Sequence, residues 1–327
     1  MAKHDPIRQA LDRLGSLRSL PDDASLATEL REFLRSRSNL VAARAAKIAA
    51  ERRVSPLVPD LVAAFRRFMA DPARLDKRCE ASTEIAGALY ALDYLEPEIY
   101  LAGLHHVQME GSFGPPVDVA AHLRGSCAQG LTRTRYASSL EDVVSLLVDP
   151  EPPARIGAVR ALATNGGSGG LLALRLKVLT GDAVPDVIAE CFAGLLAAPS
   201  ESSVNFVAGY IHSPDLQVAE AAILALGVSR FPKAVTVLAE QWQQMRRGPL
   251  RKVLLLALTS TRSEDALNFL LAQMENGPLA SATEILAALA AQRPSASIRQ
   301  SIAAAVQRRG EPALDRAFQS EFPDACT

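Results

Sequence analysis

The sequence predicts an all-α protein, a right-handed α-solenoid in which similar helix pairs stack into a superhelix. Hydrophobic residues make up 49% of the chain but aromatic residues only 5%, so its apolar content is mainly aliphatic. That composition disfavours an all-β sandwich or barrel, and it supplies more apolar surface than a disordered chain has. Four cysteines in 327 residues are too few for a disulfide scaffold. A periodic leucine pattern and a second apolar segment in each period complete the prediction.

A leucine recurs at nearly constant spacing through the middle of the chain. Successive members are separated by 31, 33, 31, 32 and 31 residues. Each ends an apolar helical segment that begins at a Pro, Asp or Gly turn, where proline is well tolerated. A pair of helices with Leu, Val and Ala on both faces can bury them only by stacking on similar pairs. The leucines are Leu131, Leu162, Leu195, Leu226, Leu258 and Leu289.

Each period contains two helical segments, which we name A and B in chain order. The A segments are predicted at 150–163, 183–197, 213–227 and 247–259, and the B segments at 138–147, 170–179, 204–211, 234–244 and 265–274. Four glycines, Gly166, Gly167, Gly169 and Gly170, fall between an A and a B segment. No strand precedes them, so the cluster predicts a flexible turn rather than a phosphate-binding loop.

The A segments resemble a known family of repeats. DPEPPARIGAVRALA at 149–163 and RGPLRKVLLLAL at 247–258 share a turn Asp or Pro, an apolar–Arg pair and a closing Ala–Leu. This pattern resembles bacterial HEAT repeats of the phycobilisome-lyase-like, armadillo-type class, in an uncharacterised subgroup, over residues 77–309. The resemblance implies that Arg124, Arg155 and Arg251, each seven residues before its leucine, bond neighbouring turns along the stack. It also implies that the B helices line a concave surface.

The organisation along the chain is predicted to be one continuous domain. Residues 1–75 form N-terminal capping helices and a degenerate helix pair, residues 76–310 form the HEAT-like array, and residues 311–327 form a C-terminal cap helix and tail. The tetratricopeptide alternative requires a 34-residue period with an aromatic framework, which one Trp and five Tyr do not supply.

Charge and targeting signals bear on the partner and the compartment. The formal net charge is −1, although residues 1–80 carry 16 Lys or Arg against 11 Asp or Glu. We expect solvated helix faces here, and nucleic acid is the alternative partner for this basic quarter. The first residues have charges and no apolar core, unlike a signal peptide, and no apolar run is long enough to cross a bilayer. We therefore expect a cytoplasmic protein with no membrane partner.

The most irregular unit contains the leading candidate site. Leu89 and Leu131 are 42 residues apart, and the extra length falls at 105–118, a loop rich in His, Gln and acidic residues. Inserted loops commonly carry binding determinants. A metal site is not expected, because adjacent histidines on a helix diverge and His106 with Glu110 is the one i, i+4 pair. Iron-binding HEAT hydroxylases carry repeated His–Glu dipeptides, which this chain lacks.

Polar and aromatic residues along the B segments complete the predicted partner surface. Their amides and rings suit contact with a peptide or protein, although Tyr210 and Trp242 could equally be core residues. The predicted partner-binding residues are His105, His106, Gln108, Glu110, Tyr210, His212, Gln241, Trp242 and Gln244.

No catalytic constellation is visible, so the prediction is a non-catalytic scaffold that binds another protein or peptide without a cofactor. No strand is predicted before any serine, so a nucleophile elbow has no scaffold, and neither a paired carboxylate dyad nor a C-x-x-C spacing occurs. Cys79, Cys127 and Cys191 lie in apolar stretches and are predicted to be buried thiols. Two alternatives stay open: a nucleic-acid-binding solenoid similar to the alkylpurine glycosylases, and a chromophore lyase or chaperone-like HEAT protein.

Overall fold

The computed structural model describes residues 6–18, 24–111, 114–197, 199–245 and 248–323. Contacts divide the chain into two compact units, Met1–Gly194 and Leu195–Thr327. The two units are described separately below. The prediction of one continuous domain stays a prediction, as does the right-handed sense of the stack.

The first unit consists of helices and one short hairpin. Its helices are α1 (Pro6–Leu17), α2 (Ala24–Leu34), α3 (Asn39–Glu51), α4 (Val58–Met69), α5 (Pro72–Leu75), α6 (Glu80–Ala91), α7 (Pro97–Leu104), α8 (Ala121–Leu131), α9 (Ser139–Ser145), α10 (Pro152–Asn165) and α11 (Gly167–Thr180). Short 3-10 helices occur at Ser55–Leu57, Lys77–Cys79 and Leu146–Val148, and the hairpin strands are β1 (Met109–Glu110) and β2 (Val117–Asp118). The boundary between the units falls within α12 (Pro185–Ala197).

The second unit has the same alternation of helices. It contains α13 (Glu201–Ala208), α14 (Leu216–Ser229), α15 (Pro232–Gln244), α16 (Pro249–Ser260), α17 (Glu264–Asn276), α18 (Leu279–Ala291), α19 (Ala296–Arg309) and α20 (Pro312–Glu321). In the described ranges, no helix combines the length and apolar character that crossing a membrane requires.

In each unit the helices form two packed layers, which confirms the predicted all-α solenoid. In the first unit the A helices α1, α3, α6, α8 and α10 pack each on the next, and so do the B helices α2, α4 and α7, and α9 with α11. In the second unit the A layer is α14, α16 and α18, the B layer is α13, α15, α17 and α19, and α20 packs on α18 and α19. All six periodic leucines are buried. The predicted A and B segments are confirmed to within a few residues.

Small residues set the distance between neighbouring A helices. A Cβ atom added at Gly157 of α10 would lie 2.2 Å from the Cα atom of Gly125 in α8. The two backbones therefore cross in direct contact, which a larger residue would prevent. The Ala-rich, aromatic-poor composition reflects this requirement for close approach.

The glycine cluster is not the flexible turn that the sequence predicts. Helix α10 ends at Asn165 and α11 begins at Gly167, so Gly169 and Gly170 lie inside α11. A Cβ atom at Gly170 would lie 2.5 Å from the Leu162 carbonyl oxygen. Glycine is required here because the start of α11 presses against the end of α10.

The turns from A to B helices contain residues in the left-handed backbone region. Arg53, Asp93, Arg230, Arg262 and Arg293 have φ between 49° and 59°. Glycine is the usual residue at this position, because a Cβ atom is disfavoured there. Four of the five are arginines, whose positive charge suits the C-terminal end of a helix.

Candidate functional site

The predicted insertion at 105–118 follows α7 and is partly a β-hairpin. β1 and β2 pair antiparallel, with Met109 opposite Asp118 and Glu110 opposite Val117. The sequence predicts a loop here, and this prediction is wrong for these four residues, whose backbones pair across the turn. Ser112 and Phe113 lie outside the described residues. Three apolar side chains of the hairpin region are exposed: Val107, Met109 and Val117.

Gln108 fixes the hairpin to the start of α6. Its side-chain amide donates to the Asp76 carbonyl oxygen at 3.1 Å and to Glu110 Oε1 at 2.6 Å. Its Oε1 accepts from Cys79 Sγ at 3.4 Å and lies 3.1 Å from His106 Nε2. Gln108 is only 4% exposed. Its polar atoms are therefore committed to contacts in the interior, and its partner-binding role stays a prediction.

Glu110 and the histidines surround this anchor. Glu110 Oε1 accepts the Arg78 backbone N–H at 2.9 Å, and His105 is exposed while His106 is half-buried. Arg78 and Cys79 both have positive φ, of 63° and 51°, so Gln108 and Glu110 hold an unusual turn in place. Of the four predicted residues here, His105 has the most accessible side chain.

The thiol of Cys79 is not activated. Burial raises its pKa to about 12, and the nearby carboxylates of Asp76, Glu110 and Asp118 act in the same direction. Cys127 and Cys191 are also buried free thiols, which confirms the sequence prediction; Cys326 lies outside the described residues. Burial raises the pKa of both. Among the described residues, no group of three His, Cys, Asp or Glu side chains could hold a metal ion.

Arg124 joins the hairpin to the next turn of the stack. Its guanidinium bonds Asp118 at 2.7 Å, Asp149 at 2.8 Å and the His106 carbonyl oxygen at 2.9 Å. Burial disfavours the charge of Asp118, but hydrogen bonds from the Ala120 N–H, from Arg124 and from the Gln108 N–H outweigh it and lower its pKa. The hairpin is thus tied to the turn that follows α9.

Arg155 repeats this arrangement one period later. It forms a two-pronged bond to Asp182 at 2.8 Å and donates to the carbonyl oxygens of Asp149 and Pro150. Lys177 also bonds Asp182 at 2.8 Å. Burial disfavours the Asp182 charge, but the hydrogen bonds from Arg155 and Lys177 outweigh it and lower its pKa. The side chain of Asp182 is almost completely buried.

The aspartates that receive these arginines were missed by the sequence analysis. Asp118, Asp149 and Asp182 each accept the backbone N–H two residues later, at the turn before an A helix. Their separations of 31 and 33 residues match the leucine period. A search for acidic residues at that period would have found them.

Arg251 in the second unit has different partners. It donates to the carbonyl oxygens of Trp242 and Met245 and to the Ser281 hydroxyl. Its guanidinium carbon also lies 3.6 Å from the centroid of the Trp242 ring, in cation–π contact. Trp242 is only 2% exposed. This burial under Arg251 agrees with the alternative that Trp242 is a core residue, and its partner-binding role stays a prediction.

The other predicted residues of the second unit lie in the turn after α13 and in α15. Tyr210 is half-buried with its ring 5.5 Å from that of Phe206, and His212 is exposed. Gln244 is exposed at the end of α15, whereas the Gln241 Oε1 atom is buried without a hydrogen-bond partner. The predicted residues of this unit therefore lie at two separate places along the chain.

The basic residues of the N-terminal quarter are largely matched by acceptors nearby. Arg31 bonds Asp60 at 3.0 Å, and Arg67 donates to the carbonyl oxygens of Leu34 and Ser36. Arg44 and Lys47 line a shallow surface depression together with Asp12, Glu80 and Glu84. The positive charge therefore forms no isolated patch at these positions.

An exposed apolar face on two successive B helices is the feature that the sequence analysis missed. On α11 it comprises Leu172, Leu176 and Leu179, which are 68%, 62% and 67% exposed at helical spacing. On and beside α9, four residues at intervals of four are 36% to 81% exposed: Tyr136, Leu140, Val144 and Val148. A Cβ atom at Gly169 would contact Leu140, so the two stripes adjoin. We name these seven residues the apolar face.

Comparisons with known proteins find only distant structural likeness. No family model matches the chain, and no curated protein matches it. A human deoxyhypusine hydroxylase in complex with glycerol is 18% identical, over 79% of this chain and 91% of that chain, with a TM-score of 0.31. An engineered protein is also 18% identical, over 99% and 96%, with a TM-score of 0.41. The assignment to the HEAT-like helical repeats rests on the chain's own packed helix pairs.

Proposed function

We propose that the protein is a non-catalytic interaction scaffold that binds an amphipathic helix of a partner protein on the apolar face. The observation that carries this proposal is the exposure of aliphatic side chains on two adjoining helices. Soluble proteins seldom leave such contiguous apolar surface open unless it is a binding site. The location on B helices agrees with the predicted partner surface, although the residues are apolar rather than polar.

The spacing of the face fits a helical ligand. Leu172, Leu176 and Leu179 follow the i, i+4, i+7 pattern that helix-in-groove recognition uses. The adjoining stripe of Tyr136, Leu140, Val144 and Val148 would provide the second wall of the contact. A partner helix with aliphatic residues at the same spacing would bury both stripes.

Two acidic residues at the start of α9 indicate the charge that a partner helix would carry along one edge. Glu141 and Asp142 lie in the first turn of α9, and Glu141 is exposed. Neither carboxylate has an ion-pair partner among the described residues. We therefore propose that the partner helix carries lysine or arginine along the edge that meets α9.

The hairpin is proposed as a specificity element at one end of this surface. Arg124 links Asp118 of the hairpin to Asp149, the residue after Val148 of the apolar face. Val148 is 81% exposed. The exposed side chains of Val107, Met109 and Val117 would extend the contact for a suitable partner.

A model peptide tests the proposal directly. A helical peptide with leucines at i, i+4 and i+7 and flanking lysines should bind the protein, and the same peptide with glutamates in place of the lysines should bind more weakly. Replacing Leu172, Leu176 and Leu179 by serine should reduce affinity at least about tenfold. The control is Val228→Ser, at an exposed valine of α14 outside the face.

Three outcomes would contradict the proposal. If the triple-serine variant binds the peptide as tightly as the parent protein does, the apolar face is not the recognition surface. If the glutamate peptide binds as tightly as the lysine peptide, the partner helix has no basic edge. If light scattering shows a dimer that the serine substitutions dissociate, a second copy of the chain covers the face. We also propose that the protein is cytoplasmic, that it belongs to a bacterial phycobilisome-lyase-like subgroup and that it has no catalytic activity.

A further inference from the structure

The second unit contains an open pocket of about 550 Å³ at the turns of two successive helix pairs. The turn between α16 and α17 forms one side, and the turn between α18 and α19 forms the other. A volume of this order matches the sites that bind small organic molecules. The pocket is remote in sequence from the apolar face and plays no part in the proposed scaffold function.

The pocket has an aliphatic floor. Leu258, Leu267, Leu270, Leu289 and Ile298 line it. These side chains come from all four helices, so the floor is a product of the stacking itself. It offers an apolar ligand a contact surface without hydrogen-bonding groups.

Two arginines stand on the rim without protein partners. Arg262 and Arg293 line the pocket, and both side chains are exposed. No ion pair or side-chain hydrogen bond of either arginine occurs within the described residues. Glu264 is the one carboxylate among the lining residues, so the rim carries net positive charge.

The backbone conformation at these positions does not require an arginine side chain. Both lie in the left-handed region, with φ of 51° and 49°, where glycine or asparagine is preferred. Ser263 and Ser295 already cap the helices that follow, because they accept the N–H groups of Ala266 and Ile298. The arginine side chains are therefore free to bind a ligand.

We propose that this pocket binds an aliphatic carboxylate, with the hydrocarbon chain on the leucine floor and the carboxylate between Arg262 and Arg293. The guanidinium group is suited to carboxylates because it donates two parallel hydrogen bonds. The apolar floor excludes small inorganic anions as the preferred ligand, and the cationic rim favours an acid over an alcohol or an amine of the same length.

Titration calorimetry with three ten-carbon probes tests the proposal. Decanoate should bind with one-to-one stoichiometry, and decanol and decylamine should bind at least about tenfold more weakly. The double variant Arg262→Gln, Arg293→Gln should weaken decanoate binding to a similar degree. Arg230→Gln is the matched control, because Arg230 has the same backbone conformation at an equivalent turn but does not line the pocket.

A second variant tests the floor independently. Leu267→Trp, at a half-buried position, should fill the pocket and abolish decanoate binding while the thermal unfolding temperature stays close to that of the parent. Equal affinity for decanol, unchanged binding in the double arginine variant, or no saturable decanoate binding below its micelle concentration would overturn the proposal.

Discussion

Individual glycines decide how closely the A helices approach. Gly157 leaves no space for a side chain, because a Cβ atom would meet the Cα and carbonyl carbon of Gly125 at 2.2 and 2.8 Å. These are backbone atoms, so the neighbour cannot move aside without shifting its helix. The tolerance of a helix position for alanine therefore depends on what faces it.

We expect Gly157→Ala to lower the free energy of unfolding by at least about 2 kcal/mol, since α8 and α10 must separate. Gly87→Ala in α6 is the control, because a Cβ atom there meets nothing within 4 Å. That change should raise stability by about 0.5–1 kcal/mol, since alanine is the better helix former. Urea unfolding of both variants measures the difference, and equal effects would contradict the close crossing.

The buried aspartate Asp182 contributes to the acid sensitivity of the first unit. Because the pKa of Asp182 is lowered in the folded state, its stabilisation is fully present above the unfolded value near about 4 and is lost as pH falls through the folded value. Asp182→Asn should cost about 3 kcal/mol or more at neutral pH, because it leaves Arg155 and Lys177 buried beside a neutral group.

Urea unfolding across the acid range checks this expectation. The difference between parent and Asp182→Asn should shrink as pH falls below about 4. The control is Glu190→Gln, which breaks the more exposed pair with Arg160 and should cost less than about 1 kcal/mol. If the difference in the free energy of unfolding between the parent and Asp182→Asn does not change with pH, the charge of Asp182 does not have this stabilising role.

At the scale of elements, several A-to-B turns place a non-glycine residue in the left-handed backbone region at the end of a helix. Arg53 has a φ of 50°, and its neighbour Val54 donates to the Ala49 carbonyl oxygen at 2.9 Å, which closes α3. The hydrogen bond requires the left-handed conformation rather than the arginine side chain.

Glycine should therefore improve this turn. We expect Arg53→Gly to raise the free energy of unfolding by about 1 kcal/mol and Arg53→Val to lower it by a similar amount, since a β-branched residue suits this region least. Thermal unfolding of both variants checks the order. Valine as stable as glycine would show that the turn is not strained.

Elements differ in how far the sequence predicts them. The A and B helices can be predicted from the leucine period and the proline turns, because both are visible in the sequence without knowledge of tertiary contacts. The hairpin at Met109–Glu110 and Val117–Asp118 does not, because two-residue strands carry almost no periodicity and depend on Gln108 and Arg124 contacts from other elements. Burial of Trp242 likewise depends on Arg251, nine residues away in the next helix.

For the whole molecule, the repeat explains the fold and the departures from it mark the candidate sites. Leucines, glycines and aspartates at the same period hold the helix pairs together. The apolar face departs from this pattern, because α11 carries leucines on its outer side as well as on its inner side. The sequence shows those leucines but not which side of α11 is covered. It therefore predicts a partner surface on the B helices but not the residues of the proposed apolar face.

Hydrogen–deuterium exchange with the leucine–lysine peptide tests the central claim most directly. We predict that saturating peptide slows amide exchange in segments 139–145 and 167–180, which carry the apolar face, and leaves α14 and α16 unchanged. Slowed exchange elsewhere with none in α9 and α11 would contradict the account, because the scaffold would then bind its helical partner on a different surface.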